Sequence, residues 1–174
     1  ILDRSKHDPI FVTAPCVIKD NDIYRIYYVS CMEWREVKEK LEPVYVIKTA
    51  ISHNGIDFET NDHICINSNY DGEALGRPWV IKDDNIYKMW FSTRGSVDYR
   101  KKDGQHYMLT YAESIDGINW ERKPEKFNLT TSSEGWDSEM IEYSSVIKWN
   151  GLYYMFYNGN GFGKTGFGYA INED

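Results

Sequence analysis

Val17-Ile18-Lys19-Asp20-Asn21-Asp22-Ile23-Tyr24-Arg25-Ile26-Tyr27-Tyr28 returns as Val80-Ile81-Lys82-Asp83-Asp84-Asn85-Ile86-Tyr87-Lys88-Met89-Trp90-Phe91. It returns again as Val146-Ile147-Lys148-Trp149-Asn150-Gly151-Leu152-Tyr153-Tyr154-Met155-Phe156-Tyr157. A second motif follows each copy: Ala50-Ile51-Ser52-His53-Asn54-Gly55-Ile56-Asp57-Phe58, then Ala112-Glu113-Ser114-Ile115-Asp116-Gly117-Ile118-Asn119-Trp120, then Ala170-Ile171. The valines lie 63 and 66 residues apart and the alanines 62 and 58, which defines three units with a period near 62.

Each unit reads as four short strands. Val17-Ile18 and Tyr24 to Ser30 flank a polar turn and make a tight hairpin, since Asp, Asn and Gly suit turns. A third strand is expected from Tyr45 to Ser52, and Asn54-Gly55 turns it into a fourth near Phe58. Aromatic side chains, 16% of the chain, favour strands. Helical periodicity is weak throughout, and Glu33 to Lys40 is expected as a turn or two inside a loop. Four antiparallel strands repeated as a unit describe a propeller blade, so the expected fold class is all-β. The expectation is one partial β-propeller domain over 1–174, with four-stranded blades at 11–60, 74–122 and 140–174. Propellers close with roughly four to eight blades. The three units are therefore expected to join missing N-terminal blades or a second copy of the chain.

The 174 residues carry 20 Lys+Arg against 27 Asp+Glu, a net charge of −7, which argues against nucleic acid or an anionic membrane as partner. With 41% hydrophobic residues and no apolar run near the roughly 20 residues of a membrane span, the composition is that of a soluble globular protein. Cys16, Cys31 and Cys65 are widely spaced and read as buried free thiols, which favours a reducing, cytoplasmic compartment. The four histidines are scattered, so no metal site is expected. Gly163-Lys164-Thr165 matches the end of a phosphate loop but joins two strands, without the helix such a loop needs.

Alternating strand direction puts the short hairpin turns on one face and the long, divergent loops on the other. Binding and catalysis are expected on the long-loop face. Its richest stretch is Trp136-Asp137-Ser138-Glu139-Met140-Ile141-Glu142-Tyr143, just before the inner strand of the third unit. The candidate catalytic acids are Glu142, Glu139 and Asp137, whose mutual repulsion would raise a carboxyl pKa. Candidate ligand-binding residues on the same face are Arg77, Arg94, Trp136 and Asn160. Planar donors and flat rings of this kind suit a polyhydroxylated ligand. Alternative partners for the acids are solvent, an arginine or a structural calcium ion; no other cofactor is expected.

The repeats, with Ser114-Ile115-Asp116-Gly117-Ile118-Asn119-Trp120 and Gly151-Leu152-Tyr153-Tyr154-Met155-Phe156-Tyr157, resemble the five-bladed β-propeller superfamily of glycoside hydrolase families 43 and 32. The resemblance covers nearly the whole chain. It implies an aspartate base or nucleophile from the first blade, a second aspartate that orients, and a glutamic acid that protonates the leaving oxygen. Glu142 stands where such enzymes place the acid, with Glu139 as competitor. Arg77-Pro78 matches part of an Arg-Asp-Pro motif and lacks its aspartate, and Asp3 and Asp8 substitute poorly for the first-blade aspartate. Two functions are expected: a glycoside hydrolase or glycosyl-transferring enzyme acting on an oligosaccharide or glycoside, or a non-catalytic saccharide-binding or scaffold propeller.

Overall fold

In the computed structural model, residues 2–172 are described; Ile1, Glu173 and Asp174 lie outside them, the last two within the third expected repeat. Three antiparallel sheets follow one another along the chain. The first holds β1 (Phe11–Asp20), β2 (Ile23–Val37), β3 (Lys40–Ser52) and β4 (Ile64–Ile66). The second holds β5 (Ala74–Asp83), β6 (Ile86–Arg94), β7 (Met108–Ser114) and β8 (Glu121–Arg122). The third holds β9 (Glu142–Trp149), β10 (Leu152–Asn158) and β11 (Phe167–Asn172). These are three propeller blades, the third with three strands among the described residues.

Two details correct the sequence expectation. Glu33 to Lys40 is not helical. β2 and β3 run on as a long hairpin arm, with Arg35 opposite Glu42 and Val37 opposite Lys40 across the turn Lys38-Glu39. The continuous backbone ladder between the two strands holds that arm where no 3.6-residue apolar stripe exists. The fourth strand of the first blade falls at Ile64–Ile66, with a single Ile51–Glu59 bridge near Phe58.

Local chemistry explains why the motifs repeat. In the second motif Ser114 donates to the Asp116 carboxylate, which accepts the amides of Ile118 and Asn119 at 2.8 Å. Ser52 and Asn54 build the same turn in the first blade. Gly117 sits at φ +71, and a Cβ there would stand 2.9 Å from the Tyr27 hydroxyl, so glycine is required. Trp120 of the second blade packs edge-on against Tyr27 of the first, with centroids 5.5 Å apart.

The first motif supplies a latch between blades. Asp20 at the end of β1 accepts from Tyr87 at 2.6 Å and Lys82 at 2.9 Å, both of the second blade. Asp83, its equivalent, accepts from Tyr153 and from Lys148 of the third blade. Cys16 adds a further tie, its sulfur accepting the Val80 amide at 3.2 Å. The core fills the spaces between blades: Tyr27, Ile47, Leu75, Met89 and Phe91 between the first and second, and Trp90, Ile141, Val146 and Met155 between the second and third. All three cysteines are buried free thiols.

Candidate functional site

Each inner strand carries a β-bulge at the same repeat position. The ladders shift between Thr13 and Cys16, between Gly76 and Trp79, and opposite Phe156 to Asn158. Ala14, Arg77 and Tyr143, each three residues before a repeat valine, have φ of +51, +29 and +54. Left-handed φ at non-glycine residues costs roughly 1–3 kcal/mol each and accumulates at functional sites. Bulges re-aim side chains, and these three residues line one open cavity of about 600 Å³. Trp34 and Pro43 from the hairpin arm, Phe11, Tyr45 and Tyr107 complete most of its wall. Tyr45, Tyr107, Tyr143 and Ala14 were not among the sequence candidates. The three-before-valine register singles out Ala14 and Tyr143 beside Arg77, and it carries no signal for Tyr45 or Tyr107.

Glu142 directly precedes the third bulge. Its side chain is 0% exposed, and neither carboxyl oxygen has a hydrogen-bond partner among the described residues. Burial alone pushes its pKa up to about 8. The carboxyl is therefore largely protonated at neutral pH. The expected repulsion within an acid cluster is not the cause, because the three acids are dispersed. Asp137 is buried and accepts from the Tyr157 hydroxyl at 2.9 Å, while Glu139 is exposed beside a different cavity. The Ser144 hydroxyl and one Asp137 oxygen are also buried without hydrogen-bond partners among the described residues. Among the described residues no group of three His, Cys, Asp or Glu could hold a metal ion.

The four candidate ligand-binding residues divide sharply. The guanidinium of Arg77 makes no hydrogen bond or ion pair among the described residues, although a salt bridge to Glu139 or Glu142 was an expected alternative. Arg94 is 1% exposed, lies over the Tyr99 ring at 3.6 Å, and donates to the Gly95 and Pro43 carbonyls and the Tyr45 and Tyr107 hydroxyls. Asn160 braces the acidic loop: its Oδ1 accepts the Glu139 and Met140 amides and its Nδ2 donates to the Gly135 carbonyl. Trp136 stacks on Tyr157 at 5.1 Å and is gripped by Gly159 and Gly168, where a Cβ would approach it to 2.2 and 2.5 Å. These last three turn their contacts into the protein, whereas Arg77 lines the cavity with its donors unpaired among the described residues.

This blade geometry can be set beside known structures. A family 117 glycoside hydrolase, Zg3597 from Zobellia galactanivorans, superposes with a TM-score of 0.78 at 16% identity, over 99% of this chain and 56% of that one. The fold is that of the propeller-type glycoside hydrolases. A thermostable family-43 glycoside hydrolase gives 0.69 at 16% identity over 98% of this chain and 55% of that one. BT0996, in its RGII complex, gives 0.69 at 20% identity over 97% of this chain and 47% of that one. No family model matches the sequence. The uncharacterized protein Rv1502 of Mycobacterium tuberculosis H37Rv is 35% identical over all of this chain and 55% of its own length. The chain thus spans about half the length of the curated relatives it matches.

Proposed function

We propose that this chain is the acid-bearing part of a carbohydrate-active, glycoside hydrolase-like propeller, with Glu142 as proton donor to a glycosidic oxygen. The observation that carries the reading is a fully buried, unpartnered carboxyl, protonated at neutral pH, at the head of an inner strand and next to the cavity-lining Tyr143. A general acid needs a raised pKa of this kind, so that it holds its proton until the leaving oxygen takes it. Arg94, Asn160 and Trp136 position the wall and the acidic loop, and Asp137 and Glu139 are the remaining carboxylates near that entry.

A panel of chromogenic arabinosides, xylosides, fructosides and mannosides tests this. Turnover should fall on the alkaline side with a midpoint near 8 and drop by roughly 10²- to 10⁴-fold in Glu142→Gln. Unchanged turnover in that variant would remove Glu142 from the role. One observation favours the non-catalytic reading: among the described residues no acid, Glu142 included, lines the 600 Å³ cavity, where hydrolysis needs two carboxyl groups.

The partner reading concerns blades. The third blade presents Ile147, Trp149, Phe167, Tyr169 and Ile171 outward, with Phe167 76% exposed. The first blade presents Lys19 and Tyr24, repeat equivalents of the latch pair Lys82 and Tyr87, without an aspartate among the described residues. Both features fit further blades of a longer polypeptide, as the length of the curated relatives suggests.

A further inference from the structure

We propose that the cavity selects a saccharide bearing a carboxylate, a uronic acid unit, with the Arg77 guanidinium as its clamp. The inference deepens the carbohydrate reading above and rests on it. Among the described residues the cavity wall contains one cation, Arg77, and no anion. Arg77 is half-buried, sits at φ +29 at the bulge, lines this cavity and a smaller neighbouring one, and its guanidinium has no hydrogen-bond or ion-pair partner among the described residues.

A second positive charge stands behind the wall. Arg94 has no carboxylate within ion-pair distance among the described residues, and it donates to the Tyr45 hydroxyl at 2.8 Å and the Tyr107 hydroxyl at 3.2 Å. Those hydroxyls accept from Arg94 and also lie 3.3 Å from each other, so one donates to its neighbour and the pair keeps a single proton to donate. In a chain of net charge −7, two uncompensated guanidiniums around one cavity make a local anion site. Arginine's planar fork matches a carboxylate in two parallel hydrogen bonds, and the flat rings of Trp34, Tyr45 and Tyr143 suit the apolar face of a sugar. The volume lies within the range of roughly 300–1,000 Å³ usual for small-ligand sites.

Calorimetric titration of the chain with galacturonate and glucuronate oligosaccharides, beside galactose and glucose oligosaccharides of equal length, tests the inference. The wild type should bind a uronate series at least tenfold more tightly than its neutral counterpart, and added salt should weaken only the uronate series. Arg77→Asn, chosen because Asn tolerates positive φ, should erase the preference, and Arg77→Lys should retain part of it. Melting temperatures of both variants establish that they fold, and the Lys variant carries the test if the Asn variant does not. Equal affinity for charged and neutral series, or a uronate preference that survives Arg77→Asn, overturns the anion clamp and leaves the carbohydrate reading standing. Failure of every saccharide of both series to bind overturns both.

Discussion

Glu142 decides the chemistry at the residue scale. Its folded-state pKa is raised from 4.5 to about 8 by burial, so the folded protein holds a proton that the unfolded chain releases across that window. The contribution to stability is complete below 4.5 and is lost as pH rises through about 8, at about 1.4 kcal/mol per pH unit. Melting curves between pH 5 and 9 should therefore fall more steeply with pH for the wild type than for Glu142→Gln, whose amide cannot ionise. Parallel curves for the two would show that Glu142 does not titrate in that window. A second residue-scale prediction concerns Trp136. Gly168→Ala would set a methyl about 2.5 Å from the indole, so the ring must shift, with a loss of roughly 1–3 kcal/mol and an altered near-ultraviolet circular dichroism spectrum. An unchanged spectrum would mean that the loop adjusts without moving the ring.

At the scale of elements, the latch is the feature that fixes blade against blade. Burial works against ionised Asp20, but hydrogen bonds from Tyr87 and Lys82 outweigh it and hold its pKa below the usual value. Hydrogen bonds from Lys148 and Tyr153 hold Asp83 lower still. Both pKa values are depressed, so the stabilisation is present above the ordinary range near 3.8 and is lost as pH falls below it. Asp20→Ala leaves buried Tyr87 without its acceptor and should cost roughly 3 kcal/mol in denaturant melts. A loss below about 0.5 kcal/mol would reduce the latch to an ordinary surface pair.

The blades and hairpins were legible because Val-Ile-Lys-Asp and Ser-x-Asp-Gly write turn chemistry and strand pairing locally. The arm formed by β2 and β3 was not, because its charged run from Glu33 to Lys40 carries no periodic apolar signal and is held by cross-strand partners. Within the site, alternating strand direction puts Glu142 and Arg77 at strand entries on the long-loop face, and the structure places Arg77 in the cavity wall and Glu142 next to its Tyr143. That Arg94, Asn160 and Trp136 turn into the protein depends on Tyr45, Tyr99, Gly159 and Gly168, which lie far along the sequence or carry no polar signal of their own.

At the scale of the whole molecule, three blades leave a sheet face open. The latch aspartate of the first two blades is replaced in the third by Trp149, 61% exposed, so the repeat position that is ionic in the first two blades is apolar there. Light scattering of the 174-residue chain alone should show concentration-dependent association, reduced in Phe167→Ser combined with Tyr169→Ser. A stable monomer at all concentrations would contradict the reading of that face as a blade interface. What joins residue, bulge and ring is a carboxyl that stays protonated at neutral pH beside a sugar-sized cavity. Carbon-13 NMR of carboxyl-labelled protein, with the Glu142 signal assigned through Glu142→Gln, measures this directly. A titration midpoint near 8 is the predicted result, and a midpoint in the ordinary range near 4.5 would contradict it.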